Sequence, residues 1–557
     1  MKTRVNTTAL FLSAITFIHH LAAADRTFDF VVYGGAAGGA IAAISAARMG
    51  LKVALLEPRK DIGGMASGGL SRTDVGRREV IGGYALEFYW RAANEYQLRR
   101  YLQEIAWYME PKVAGKIFLD MLREAGVSVF YDRRLRALAG VQKDDPKIST
   151  QITSIESENG DRFFARIFAD CTYEGDLMAQ AKVSYTWGRE GQQEYGESLA
   201  GVRDETPKHQ FLVKIPARGS DGKLLPEISP DPMGASGSAD RKVQSYNFRM
   251  ILSHDRANQV PYPKPDNYDP QRYQLLALLL KAMEEKLGRP QVMHEVALIA
   301  PIPHDKADIN NQGPFSTDYI GKSWDYPEAN YQRREEIWRD HVDYTKGFFY
   351  FLAHDPRVPR KLQDEVNEWG LAKDEFVDNH NWPHQLYIRE ARRMVGEYVM
   401  RQKDIQTNLT KPDPIGMGSY NSDSHNVERV VRADGAVMNE GDMQVGVKPY
   451  QIPYRILLPK KAEAVNLLVP VCFSASHVAY STLRMEPQYM ILGQAAGVAA
   501  KLAIAAGKAV QDIDTAELTR ILRRQGAILE YAPNAQQAIV NKFRAAQKPP
   551  EPVRFQQ

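Results

Sequence analysis

The sequence is short of cysteine, of any excess of one charge, and of long apolar runs. Cys171 and Cys472 are the only two thiols in 557 residues. Standing far apart, they exclude an iron-sulfur cluster or a cysteine zinc site built from this chain alone. Each lies among small and apolar neighbours, which suits a buried, unpaired thiol; an oxidising compartment would also let them pair. The 71 basic and 68 acidic side chains leave a formal charge of +3, and no block of Lys or Arg is present. A nucleic-acid partner is therefore not expected. The apolar run near the start, Ala9 to Ile18, is interrupted by Ser13 and Thr16 and is shorter than the roughly 20 residues that a bilayer span needs. With Lys2 and Arg4 before it and Ala22-Ala23-Ala24 after it, it predicts a signal peptide over residues 1–24, no stable membrane span, and export to the periplasm or beyond. No twin-arginine pair accompanies it, so a cofactor would be inserted outside the cytosol.

What is present is ordinary globular material, 44% hydrophobic and 25% charged, long enough for two to four structural units at roughly 150 residues each. Phe28 to Tyr33 is a β-rich run, followed by glycines, a small-residue helix from Ala40 to Met49, and a second buried strand from Leu51 to Leu56 that ends at Glu57. This is a βαβ unit of about 30 residues, the setting that a dinucleotide fingerprint requires. Gly34 turns the chain after the strand, Gly39 lets the helix pack on the sheet, Gly35 and Gly38 beside them are further cofactor-binding candidates, and Ala36 stands where the backbone must approach a pyrophosphate. The pattern is G-x-A-x-x-G. An alanine methyl is a small obstruction, and the helix N-terminus still offers N–H groups to phosphates. Glu57 is placed to accept hydrogen bonds from an adenosine ribose.

The next segment, DIGGMASGGLSRTDVG (Asp61 to Gly76), carries five glycines, including Gly63 and Gly64 beside Met65, and predicts a second close backbone approach to an extended ligand. A later run leads through Asp170 into Cys171-Thr172-Tyr173-Glu174-Gly175-Asp176. Far downstream, Leu467 to Phe473 predicts a strand, and Pro487 opens a Gly- and Ala-rich helix from Gln488 to Ala505, with Glu486 before it and Gly493 and Gln494 within it. Its first amides would face the edge of a flavin where reduction places negative charge. The bland alternative is a core helix whose small residues pack on a neighbour.

VVYGGAAGGAIAA, GGMASGGLSRTDVG, DCTYEGDLMAQAKVSYTWGREGQQEYGESLAG, SYNFRM, WPHQLYIREARRMVG, DSHNVERV and NLLVPVCFSASHVAYSTLRMEPQYMILGQAAGVAA together resemble the FAD-dependent oxidoreductase family of exported bacterial flavoproteins, over most of the chain. The resemblance implies FAD as cofactor. It also implies an α/β fold: a Rossmann-like FAD-binding domain of the glutathione-reductase type, discontinuous in sequence, with an inserted α+β substrate domain. Its members usually carry a small residue where Ala36 stands. On this reading residues 25–200 and 415–510 form the FAD domain, 201–414 the substrate domain with long loops, and 511–557 a helical extension.

The middle is rich in Pro, Tyr, Asn and Asp, a composition that suits sugar-binding loops and ordinary surface loops alike. Trp382 to Ile405 has apolar residues at helical spacing and predicts an amphipathic helix with Arg389, Arg392 and Arg393 near one face, positioned for an anionic substrate or reduced flavin. Dehydrogenation of an alcohol or amine needs a base, and histidine suits it. His477, just before the flavin-facing helix and beside Arg484 and Glu486, is the first candidate, and His425 the second; His384, Tyr246 and Asn247 rank lower. No metal is implied. The expected function is FAD-dependent hydride transfer from a polar small molecule, with a sugar or sugar acid as the leading type, to an unknown electron acceptor. The rivals are a polysaccharide-binding or lyase-like protein without redox turnover, and a reductase of the fumarate-reductase kind.

Overall fold

A computed structural model describes residues 24–98, 103–145 and 149–546; the expected signal peptide lies outside them, save its last residue, Ala24. Strand β1 (Phe30–Tyr33) runs into helix α1 (Ala37–Arg48) and back into β2 (Val53–Leu56). Strands β3 (Ser128–Phe130), β4 (Ile167–Asp170) and β5 (Leu467–Leu468) complete a five-stranded sheet in the order β5-β4-β1-β2-β3. All of its neighbours are parallel, with Phe30 opposite both Val53 and Ile167. Strands buried on both faces read as continuous apolar runs, which is why β1, β2 and β4 were legible. β5 is shorter than the expected Leu467–Phe473, because Pro470 follows it and cannot donate to a ladder.

Helix α2 (His477–Leu483) and helix α3 (Glu486–Ala506) follow β5. Helix α3 is long and apolar enough to cross a membrane by length and composition, yet most of it is buried inside the protein against α1. The two backbones touch. A Cβ built on Gly493 would stand 2.0 Å from the carbonyl oxygen of Gly38, and one on Gly497 would stand 2.6 Å from that of Ala42. The small residues of α3 therefore serve the helix pair, and only its first turn remains for other work. Gly493→Val is expected to destabilise the protein by at least about 2 kcal/mol, because backbone cannot yield as a flexible side chain does; thermal denaturation checks it.

Residues 250–372 hold a second, antiparallel sheet that includes Met250–Ser253, Lys306–Asn311 and Ala297–Ile302, backed by a 24-residue helix, Tyr331–His354. The expected helix over Trp382–Ile405 does not form. Arg393–Met394 is instead a short strand antiparallel to Tyr185–Thr186, and only Gln402–Gln406 is helical. The helical spacing was coincidental: Arg389, Arg392 and Arg393 each reach a different carboxylate, and one helix face could not serve all three. Burying unpaired carboxylates would cost more than helix propensity gains.

Candidate functional site

The first glycine motif and the glycine-rich loop lie side by side. Gly63 N–H donates to Gly35 O at 2.7 Å, and Ala36 bridges Gly63. Gly34 has φ +99°, and a Cβ on Gly39 would stand 1.9 Å from Gly34 O, so this strand-to-helix turn admits no side chain at either position. Together with Glu57, Thr172 and Tyr173, Gly34, Gly35 and Ala36 line a groove at the end of the parallel sheet, where ligands bind open α/β sheets. Glu57 holds both sides of the turn, accepting from Gly35 N–H at 2.7 Å and Arg59 N–H at 2.8 Å. Burial pushes its carboxyl up to about 7 against those two bonds.

Tyr173 joins three distant segments. Its hydroxyl accepts from Met65 N–H at 2.9 Å and donates to Glu486 Oε1 at 2.7 Å, so the glycine loop, the turn after β4 and the start of α3 meet on one oxygen. A Cβ on Gly64 would fall 2.3 Å from that oxygen. Tyr173 stands inside the CTYEGD segment, whose local pattern gives no sign of this role. On the segments that meet here several buried polar atoms have no protein partner: Glu486 Oε2 and both ends of the Gln488 amide at the start of α3, and, further along the glycine loop, the hydroxyls of Ser71 and Thr73. Such groups are costly unless something bonds them. A large ligand rich in hydrogen-bonding atoms fits this set, laid along the glycine loop to the first turn of α3. Burial pushes Glu486 up to about 8. The stabilising contribution of the neutral acid is complete below its ordinary value of 4.5 and is lost as pH rises through about 8. Glu486→Gln is therefore expected to flatten the pH dependence of melting temperature in FAD-free protein across that window.

The remaining expected cofactor residues are placed as follows. Gly175, at φ +72°, turns the chain after β4 and lies against Cys472, while Thr172 bonds Asp170 and accepts from Gly175 N–H. The carboxylate of Asp176 is held by Arg334 and Arg392 at 2.7 Å each. Arg392 thus belongs to the turn by the groove, paired also with Glu328, and not to the histidines. Pro487 stands in the first turn of α3. Gln494, further along, accepts from Tyr84 N–H and donates to Gln525. Cys171 and Cys472 are both buried and unpaired.

The two candidate bases each carry a carboxylate on Nδ1. His425, just past the strand Ser422–Ser424, lies 2.6 Å from Asp318 Oδ2, and Arg389 bonds the other oxygen of Asp318 at 2.9 Å. Burial works against ionisation of Asp318, but Arg389 and His425 outweigh it and hold the carboxyl far below its usual range. Burial, then the Arg389 charge, pull His425 below its ordinary 6.5 in spite of Asp318. With Nδ1–H donated to Asp318, Nε2 is left as an acceptor, 3.9 Å from Asp423 Oδ2. His477 is arranged in the same way: its Nδ1 meets Glu390 at 2.8 Å, Glu390 is also bonded by Arg393, and the backbone N–H of His477 donates to Glu190 at 2.9 Å. His477 and Arg393 overcome burial and hold Glu390 at about 2. Gln244 ties the two centres together, donating to Glu390 at 3.0 Å and accepting from His425 N–H at 3.1 Å.

The His425 centre reaches the glycine loop through charged neighbours. Arg484, at the end of α2 and two residues before α3, donates to Asp423 O at 2.7 Å and Tyr387 Oη at 3.0 Å. Arg249 clasps Asp308 through two bonds, and Asp308 accepts Arg72 N–H at 2.9 Å. Asp74, at the end of the same loop, is pushed up to about 6 by burial and the nearby Asp423. Of the lower-ranked candidates, Tyr246 donates its hydroxyl to Glu390 O, Asn247 bonds Thr317, and His384 lies apart, near Asp61.

A family model described as FAD dependent oxidoreductase matches residues 29–522. No curated protein matches the chain. Among solved structures, a geranylgeranyl bacteriochlorophyll reductase-like protein of Thermoplasma acidophilum is 10% identical, with 93% of this chain and 91% of that one covered, at a TM-score of 0.35. THI4 of Thermovibrio ammonificans is 16% identical, with 29% and 66% covered and a TM-score of 0.22. NikD, an unusual amino acid oxidase essential for nikkomycin biosynthesis, is 10% identical, with 30% and 56% covered and a TM-score of 0.21. This chain therefore spans less than two thirds of the last two, and none of the three bears on substrate or mechanism.

Proposed function

We propose a function from one premise: this chain belongs to the FAD dependent oxidoreductase family, and FAD is its cofactor. The reading is a dehydrogenation in which a polar small molecule loses a hydride to flavin N5 and a proton to His425. FAD supplies the two-electron acceptor. The chain supplies the rest: the Gly34–Gly39 turn and the start of α1 for the pyrophosphate, Glu57 for the adenosine ribose, and Ser71, Thr73, Glu486 and Gln488 for the flavin end. In this reading the parallel sheet is a Rossmann-like domain of the glutathione-reductase type, closed by β5 and α3 from the far end of the chain.

One observation carries the assignment of the base. His425 is fixed by Asp318 at 2.6 Å, burial and the Arg389 charge hold its pKa below the ordinary value, and the charged groups around it include Arg484, two residues before α3, and Asp308, which accepts from Arg72 N–H in the glycine loop. Nε2 takes the hydroxyl proton as the C–H bond breaks, and a carbonyl results. The base must be unprotonated, so activity falls as pH drops through its pKa. Because that pKa is depressed, the acid limb of kcat/KM is expected below pH 6.5. The export expected from residues 1–24 is kept as part of the proposal, and N-terminal sequencing of secreted protein tests it.

An anaerobic screen read by flavin absorbance tests the reaction itself. Bleaching by sugars or related alcohols supports dehydrogenation; reoxidation of reduced enzyme by unsaturated acids, with no bleaching by any alcohol, supports a reductase instead.

A further inference from the structure

Resting on the reading of the Tyr173 junction as part of the FAD site, we propose that Glu486 receives the cofactor as a neutral acid, with Oε2–H offered to it, so that an alkaline shift loosens FAD. The hydrogen bonds fix where the proton stands. Glu486 is buried in the first turn of α3, and its Oε1 accepts the Tyr173 hydroxyl at 2.7 Å. That hydroxyl has one proton to give, and its other bond, with Met65 N–H at 2.9 Å, is one that it accepts. A proton carried by Glu486 therefore sits on Oε2, which is buried and has no protein partner. No cation stands against this carboxyl among the described residues: Arg484, two positions earlier, is turned to Asp423 and Tyr387. The titratable groups that face it are three buried phenols, Tyr173, Tyr489 of α3 and Tyr89 of the helix Gly83–Glu95. Burial raises all three, so they stay uncharged while Glu486 titrates. The positive end of α3 favours a carboxylate, but an unpaired charge away from water costs more, and burial pushes Glu486 up to about 8.

That proton has a use once a ligand is present. Tyr173 lines the groove together with Gly34, Gly35, Ala36 and Gly64, so Glu486 stands one hydroxyl away from it. Pro487 removes one of the backbone N–H groups that a helix start ordinarily presents, and an acid O–H restores a donor at the same turn. Gln488, the next residue, is fully buried with both ends of its amide unpartnered. FAD brings carbonyl, ring-nitrogen and phosphate acceptors together with negative charge. Neutral Glu486 donates to such a group, whereas ionised Glu486 would set lone pairs and a like charge against it. Binding to the neutral form raises the pKa of Glu486 further, so FAD bound above the free value takes up a proton.

The test follows FAD dissociation from full-length holoenzyme, by the fluorescence of released flavin, in wild type and in Glu486→Gln, whose amide imitates the neutral acid. Glu57, the other raised carboxyl of the groove, is common to both proteins and cancels in their ratio. The ratio of wild-type to variant Kd is expected to rise about tenfold between about pH 7 and about pH 9, as Glu486 passes through its free value of about 8. A flat ratio, or a wild type that tightens relative to the variant in alkali, overturns the inference and leaves FAD as the cofactor. A folded Glu486→Gln protein that holds no FAD at neutral pH overturns it as well. Should the variant fail to fold, calorimetry of FAD binding to wild type, in alkaline buffers of different ionisation heat, decides by sign: proton uptake supports the inference, and release or no exchange overturns it. A chain that takes up no FAD at any pH fails the reading of the site itself.

Discussion

His425→Asn is expected to slow flavin reduction by substrate about 10²- to 10⁴-fold, the range for loss of a positioned general base, while the protein still binds FAD with an unchanged oxidised spectrum. The reason is local. His425 touches Asp318 and the backbone-anchoring Gln244, whereas the glycine turn and the first turn of α3 that would hold the cofactor lie on other segments. Asp318→Asn is expected to act in the same direction, since the ring would lose the acceptor that fixes its tautomer. His477→Asn provides the contrast. Its ring is bound to a Glu390 already engaged by Arg393 and Gln244, so its loss is expected to lower stability more than it lowers the reduction rate. Stopped-flow reduction of the three variants, set beside their melting temperatures, checks the assignment. A rate lost at His477 and kept at His425 would reverse it.

Ala36→Leu is expected to strip most of the FAD from the purified protein, and Ala36→Gly to retain it. Ala36 is buried at the N-terminus of α1, bridged to Gly63, and a Cβ on the facing Gly64 would already be 3.0 Å from it. Three further carbons at this point have no room except the groove beside Glu57 and Tyr173. Loss of close backbone approach to the pyrophosphate then removes the helix N-terminus as an anion site. The ratio of flavin to protein absorbance after gel filtration reads this directly, and a melting curve separates loss of cofactor from loss of fold.

The parts of the molecule legible in the sequence were those whose chemistry is local. β1, the glycine turn, α1 and β2 follow one another in a single run of apolar, small and acidic residues, and Pro487 marks the start of α3 by a rule of one position. The pairing of the chain's two ends was legible as well, because an apolar strand followed by a Gly- and Ala-rich helix carries its own signal. The acid–base centre was not. Asp318 reaches His425 across 107 positions, and Glu390 reaches His477 across 87; no local pattern marks either carboxylate as a partner. Periodicity also misled where burial of charge decided the structure. Arg389, Arg392 and Arg393 fit a helix by spacing, but their carboxylates lie in three directions and the chain between Trp382 and Met400 unwinds to reach them. Tyr173 was in plain view within a motif, yet its role depends on Met65 and Glu486, which are distant on either side.

The account rests on a chain that holds FAD and reduces it with a hydroxyl-bearing substrate through His425. The most direct test is the absorbance of the purified, FAD-reconstituted protein as a sugar is added without oxygen, run in parallel on wild type and His425→Asn. The account predicts a flavin spectrum in both proteins and bleaching in the wild type alone. Protein that stays colourless and takes up no added FAD, or variant flavin that bleaches as fast as wild type, would contradict it.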